Sequence, residues 1–174
     1  MKKLLLFIFV ISLVSATSIS TEKTTSVQSA RIQELNQFWS NLSRTVKEGD
    51  FKGYKNTYHK DAVIVFGTGK NKTSVPVKKA LASWKQGFVD TKKGKNKSSV
   101  EFRFTQRIGD ATTAHETGIF VYKTSNADGS NEKLYPTHFE MLLVKRNGRW
   151  LGVMEYQKSK ASMQEWKILK KIDK

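Results

Sequence analysis

Apolar residues recur with a helical period near the start of the chain. Ile32, Leu35, Phe38, Trp39, Leu42 and Val46 share one face, with Gln, Asn, Ser, Arg and Lys between them. This pattern predicts an amphipathic helix from about Ala30 to Glu48. Gly49 suits a left-handed stop after it, and Asp50 suits the N-cap of a second, short helix over Phe51–Tyr58. Asp61 closes a turn, with His59 exposed beside it. Ala62–Phe66 is a β-prone run ended by Gly67 and Gly69. Ser74 reads as a cap with Pro76 in the first turn of a third helix, which carries Val77, Leu81, Trp84 and Phe88 to about Asp90.

After a Lys/Gly/Asn/Ser loop over Thr91–Ser99 the period changes to two. Val100, Phe102 and Phe104 alternate with Glu101, Arg103 and Thr105. Gly109-Asp110 marks a tight turn, Ala111–Thr124 a second long strand, and Asn126–Gly129 a longer loop. Leu134–Arg146 and Arg149–Lys158 are the last strands, joined by Asn147-Gly148, a strong hairpin signal. A basic tail, Ser162–Lys174, is expected to be helical. No internal repeat is present. Helices come early and antiparallel strands late, which predicts an α+β fold with helices packed on one face of a curved sheet.

The N-terminus has a different character. Met1-Lys2-Lys3 is a short basic start, Leu4–Val14 is an uncharged apolar run, and Val14-Ser15-Ala16 supplies small residues at a cleavage position. This is the layout of a secretory signal, short for a membrane span, with an uncleaved anchor helix as the alternative. The expected organisation is a signal at 1–16, a flexible linker at 17–29, a domain at 30–159 and a basic tail at 160–174. The mature protein is expected in a periplasm or outside the cell. The 174-residue chain has no Cys, which excludes disulfides, thiolate metal sites and cysteine nucleophiles, so the fold must rest on packing.

Gly49-Asp50-Phe51 followed by Tyr58-His59-Lys60-Asp61-Ala62-Val63, and the ending Lys145-Arg146-Asn147-Gly148-Arg149-Trp150-Leu151, resemble the nuclear transport factor 2-like superfamily. Within it the resemblance is to the SnoaL-like and ketosteroid-isomerase-like groups, over about Ala30–Ser159. It implies a cone-shaped α+β barrel: a strongly curved, mainly antiparallel sheet wrapped by three helices, with a pocket at the open end. It also implies dimerisation through the outer sheet face. Members range from isomerases and dehydratases to proteins without catalysis, so fold alone assigns no chemistry. One departure stands out. The isomerases carry an aspartate base near the end of the first strand, where this chain has Phe66, which cannot take a proton.

The pocket that the resemblance implies is expected to draw on Trp39, Tyr54, Tyr58, Phe66, Trp84, Phe88, Phe102, Phe104, Phe120 and Leu142. These bulky groups equally suit a core, which a cone needs to fill. General acid–base work requires a group of tunable pKa within reach of substrate. Glu140 and His138 share one face of the third long strand, and Glu155 lies on the fourth. If the face of Glu140 turns inward, Leu142 and Val144 join it in the pocket and its pKa rises. If it turns outward, Glu140 and His138 meet solvent or a dimer partner. His115, Glu116, His138 and Glu140 lack metal-ligand spacing, so no metal and no cofactor is expected.

The formal net charge is +16. Lysines cluster at Lys70–Lys72, Lys78–Lys79, Lys92–Lys97 and Lys167–Lys174, mostly in turns and the tail, where they attract polyanions such as acidic polysaccharide or an anionic surface. With an export signal, no specific nucleic-acid partner is expected. The tail's Met163, Trp166, Leu169 and Ile172 suit docking on the domain or a partner subunit better than a membrane surface, because so short a helix is marginal without packing. The leading expectation is therefore an exported, non-catalytic protein, a homodimer, that holds a small apolar or amphipathic molecule. The alternatives are a lyase, isomerase or hydrolase with a pocket Glu or His as base, and a binder of polyanions or membrane surfaces.

Overall fold

The computed structural model describes residues 17–171, so the expected signal at Met1–Ala16 lies outside the described residues. In chain order the elements are α1 (Thr17–Glu48), α2 (Phe51–Lys55), β1 (Tyr58–Phe66), β2 (Thr73–Pro76), α3 (Val77–Lys92), β3 (Asn96–Gly109), β4 (Thr113–Asn126), β5 (Lys133–Arg146), β6 (Arg149–Lys160) and α4 (Met163–Ile168). The strands form one open sheet in the order β2-β1-β6-β5-β4-β3. All neighbours are antiparallel except β1 and β6. Among the described residues, no helix is long and apolar enough to cross a membrane.

Several local readings match the structure. Gly49 takes φ +63°, and a Cβ there would lie 2.5 Å from Lys92 N and Phe88 O, so only glycine lets the α1–α2 corner approach α3. Asp50 caps α2 by accepting from Gly53 N at 2.8 Å. Asn147 and Gly148 both have positive φ, the twist that a two-residue hairpin requires.

Others are corrected. α1 begins at Thr17, not Ala30. The polar stretch Thr17–Ser29 holds no Gly or Pro, so nothing stops a helix nucleated by the amphipathic part from extending back through it. α2 ends at Lys55, because Thr57 turns the chain by donating its hydroxyl to Tyr54 O at 2.7 Å, and Tyr58 opens β1 instead. Ser74 does not cap α3. It pairs with Val65 in β2, and Pro76 holds the cap position. The residue before a proline disfavours helix, which keeps Val75 extended. Asn96–Ser99 belongs to β3, paired with Lys123–Asn126.

Helices α1, α2 and α3 cover the concave face. Leu35, Phe38, Trp39, Leu42 and Val46 of α1 are buried against Val100 and Phe139 of the sheet. The sheet bends where β3 carries a bulge between Phe104 and Gln106. Opposite it stands Gly118, where a Cβ would sit 2.0 Å from Arg103 O. The short helix α4 packs on the outer face. Its Trp166 is buried with Ile119 and Val121, and the guanidinium of Arg103 lies 4.2 Å from the indole centroid. A capping box of Ser162 and Glu165 starts α4, and Arg103 Nη1 donates to Trp166 O at 2.7 Å and Leu169 O at 3.0 Å at its end.

Candidate functional site

The helices leave the open end of the concave face unfilled. A cavity of about 730 Å³ lies between α1, α3 and the ends of β3–β6. Of the aromatic residues singled out in the sequence, Trp39, Tyr54, Tyr58, Trp84, Phe88, Phe102 and Phe120 line it. They also pack on one another: Tyr54 against Phe88 at 4.8 Å and Trp39 against Phe102 at 4.5 Å between ring centroids. Lining and core are therefore the same residues seen from two sides.

Three of the expected pocket residues lie elsewhere. Phe66 packs edge-on to Trp84, and Phe104 lies at the narrow end between Trp39 and Phe139, under the guanidinium of Arg107. Neither lines the cavity. Leu142 is on the opposite face and 41% exposed. The reason is the parity of β5. Thr137, Phe139, Met141 and Leu143 are its buried, inward residues, so His138, Glu140 and Leu142 point outward.

Glu140 and His138 therefore do not reach the cavity. Glu140 accepts from Lys158 Nζ at 2.5 Å and lies 3.4 Å from His115 Nε2. The Lys158 hydrogen bond, helped by His115, holds its carboxyl below the usual value. His138 Nε2 is 3.2 Å from Glu165 of α4. These groups form a polar strip on the outer face, with Thr105, Thr117 and Lys158 around it. His115 and Glu116 are sequence neighbours on a strand, so they face opposite sides of the sheet. Among the described residues no group of three or more His, Asp or Glu could hold a metal ion.

Glu155 does reach the cavity. Its partner across the sheet is Met141, an inward residue, and its carboxyl is buried. Oε2 accepts a hydrogen bond from Tyr58 Oη, and Oε1 accepts from Gln157 Nε2 at 2.8 Å. Tyr54 Oη lies 3.2 Å from Tyr58 Oη, which extends the chain of hydroxyls into α2. No cation bonds this carboxyl among the described residues. Burial pushes the Glu155 carboxyl up, against the pull of the Tyr58 and Gln157 hydrogen bonds. Burial and the neighbouring Glu155 charge push the hydroxyls of Tyr54 and Tyr58 up as well.

A second buried carboxyl closes the narrow end. Glu116 is fully buried and accepts from Trp39 Nε1 at 3.1 Å and Arg107 Nε at 2.7 Å. Arg107 also donates to Asn36 Oδ1 at 2.6 Å, and Arg31 Nη2 donates to Arg107 O at 3.2 Å. Burial pushes the Glu116 carboxyl up, and Arg107, Trp39 and Arg31 oppose that shift. This network ties α1 to β3 and β4 behind the cavity.

Sequence reasoning passed over Gln157, Tyr122, Ser98 and Lys160 at the cavity wall. Strand pairing was the missing signal. Gln157 is opposite Phe139 and Lys160 opposite Thr137, so both share the inward face.

A SnoaL-like domain family matches residues 32–159. Among curated proteins none matches the chain. Several solved structures share the fold. A protein of unknown function from Mycobacterium tuberculosis aligns with 15% identity and a TM-score of 0.58, over 82% of this chain and 76% of that one. An NTF-2 like protein of unknown function from Shewanella oneidensis aligns with 14% identity and a TM-score of 0.54, over 71% and 95%. A protein from Catenulispora acidiphila, solved in complex with S-DNPA, aligns with 19% identity and a TM-score of 0.56, over 76% and 95%.

Proposed function

The chain belongs to the SnoaL-like domain family, and from that premise we propose that it is an exported protein that binds a small apolar or amphipathic molecule in its cone cavity without transforming it. The observation that carries this reading is the cavity itself. About 730 Å³ walled by aromatic rings, with one buried polar cluster to orient a guest, has the size and composition of a small-molecule site. Phe66, in place of the isomerases' base, argues against their chemistry. The Catenulispora acidiphila relative in complex with S-DNPA is in keeping with a fold that accepts small molecules. Native mass spectrometry of the chain purified through its own export route tests the proposal. A retained added mass that a cavity-filling substitution removes supports it. Turnover of a screened substrate that Glu155→Gln abolishes overturns the non-catalytic part.

That second reading, a lyase, isomerase or hydrolase, is favoured by one observation. Glu155 has a raised pKa beside two tyrosine hydroxyls inside the cavity, the arrangement a general acid or base requires. Glu140 and His138 have no part in it.

Export rests on the signal-like Met1–Ala16, and a homodimer on apolar side chains of the outer face, where Val63 is 40% and Leu142 41% exposed. Leu142→Glu is expected to convert such a dimer to monomer in light scattering.

A further inference from the structure

The polarity of the cavity runs in one direction, from an apolar interior to a basic mouth. Inside, the walls are aromatic and, among the described residues, the only acid is Glu155, which is buried without a cationic partner. A ligand anion carried to that depth would lose its hydration and meet no cation, and burial of an unpaired charge is prohibitive. At the mouth stands Lys160, the one basic residue of the wall among the described residues. It pairs across the sheet with Thr137, an inward residue, so its stem starts on the cavity side at the very end of β6. It is exposed and makes no ion pair among the described residues.

The turns around this opening add to the same sign. The β1–β2 turn carries Lys70 and Lys72, the α3–β3 turn Lys93, and β5 begins with Lys133. The acids of this end are already engaged. Asp90 lies 3.6 Å from Lys95, Glu132 lies 3.1 Å from Lys123, and Asp128 accepts from Ser130 N at 2.8 Å. At the narrow end the cations nearest the core are paired, Lys145 with Glu34 at 2.6 Å and Arg107 with Glu116, while Arg146 and Arg149 stand out on the β5–β6 hairpin, away from the cavity. A cleft whose rim carries an excess of one sign of charge over low-dielectric walls concentrates ions of the other sign.

Resting on the cavity reading above, we infer that the ligand is an anionic amphiphile, bound tail-first, with its hydrocarbon among Trp84, Phe88 and Phe120 and its anionic head at Lys160. The chemical class is a single-chain carboxylate, sulfate or phosphate. A purely apolar guest would leave the lysine rim without a role, and a polyanion on the surface would leave the cavity without one. Tryptophans 39 and 84 line the cavity and supply a fluorescence signal for binding.

The test titrates the full mature chain with dodecanoate and with dodecanol at neutral pH, at low and high salt. Three proteins are compared: wild type, Lys160→Glu, and Gly87→Trp. Gly87 lines the cavity from α3, and a Cβ there meets nothing within 4 Å, so a large side chain fills the space from a helical position that accepts it. Dodecanoate is expected to bind about tenfold more tightly than dodecanol at low salt, the scale of a charge-assisted contact. Salt and Lys160→Glu should each erase that preference and leave dodecanol unchanged, and Gly87→Trp should abolish binding of both. Equal affinities that Lys160→Glu does not alter would overturn the head-group assignment and leave the cavity reading standing. Dodecanoate binding that survives Gly87→Trp would show adsorption to surface lysines and overturn the inference. Binding of neither probe, with the wild type folded, would overturn the inference and count against the cavity reading with it.

Discussion

Two glutamates on the concave side of the same sheet, Glu116 and Glu155, are both buried and both shifted upward by that burial. Their surroundings differ in one respect. Glu116 faces two guanidinium groups, Arg107 in direct contact and Arg31 nearby, and an indole N–H. Glu155 faces two tyrosines and a glutamine, all neutral, and opens on the cavity. The first is a structural tie whose cations need its charge. The second is a polar group whose charge nothing nearby needs. Burial alone therefore says little about what a carboxyl does, and the identity of its donors says more.

The largest expected effect tests the first half of this contrast. Glu116→Gln leaves the buried Arg31 and the half-buried Arg107 without their counter-charge and should cost about 3 kcal/mol in urea unfolding, whereas Glu155→Gln, which strands no cation, should change stability by less than about 1 kcal/mol. Equal costs would break the comparison. Next in size, Trp39→Phe removes one donor from Glu116 and leaves Glu155 untouched. A loss of about 1–2 kcal/mol is expected for the hydrogen bond and the smaller ring, with no change in the pH profile assigned to Glu155.

The third prediction concerns pH. Glu155 binds its proton more tightly folded than unfolded, since its folded pKa is raised above 4.5. As pH rises from that unfolded value through the folded one, the unfolded state ionises first and stability falls. Glu155→Gln should therefore be matched to wild type in acid and gain on it as pH rises, in thermal melts taken across this range. The opposite slope would mean that Glu155 has a cationic partner in solution. The smallest effect is expected from Tyr58→Phe. Loss of its hydrogen bond should raise the Glu155 pKa further, visible as a protonated carboxyl band in infrared spectra persisting to higher pH, with less than about 1 kcal/mol lost in stability.

Much of the fold was legible in the residues. The period of α1, the Gly49-Asp50 corner, the Asn147-Gly148 hairpin and the switch to period two after α3 are local signals, and local chemistry enforces them. Strand β2 was not legible, because Thr73–Pro76 is extended only while β1 offers it an edge. Nor was the full length of α1, whose first half lacks an apolar stripe. Within the candidate site, the aromatic wall could be read from composition and order. The inward face of β5 could not, since Phe139, Met141 and Leu143 on one side alternate with Leu142 and Val144 on the other. A period-two pattern with apolar residues on both faces does not say which face is the core.

By itself, then, the sequence determined the α+β order of elements, the absence of cysteine chemistry, the basic charge and the supply of aromatic residues, because each depends on residues near one another in the chain. Tertiary structure decided the rest. Pairing of β5 with β6 set which side of each strand meets the helices and sent Glu140 and His138 outward, and pairing of β6 with β1 brought Glu155 against Tyr58 from 97 positions away. It also set Lys160 at the mouth of the cavity. Side-chain alternation along a strand is local, but which alternate is buried depends on packing between distant segments, and that is where this protein's candidate chemistry resides.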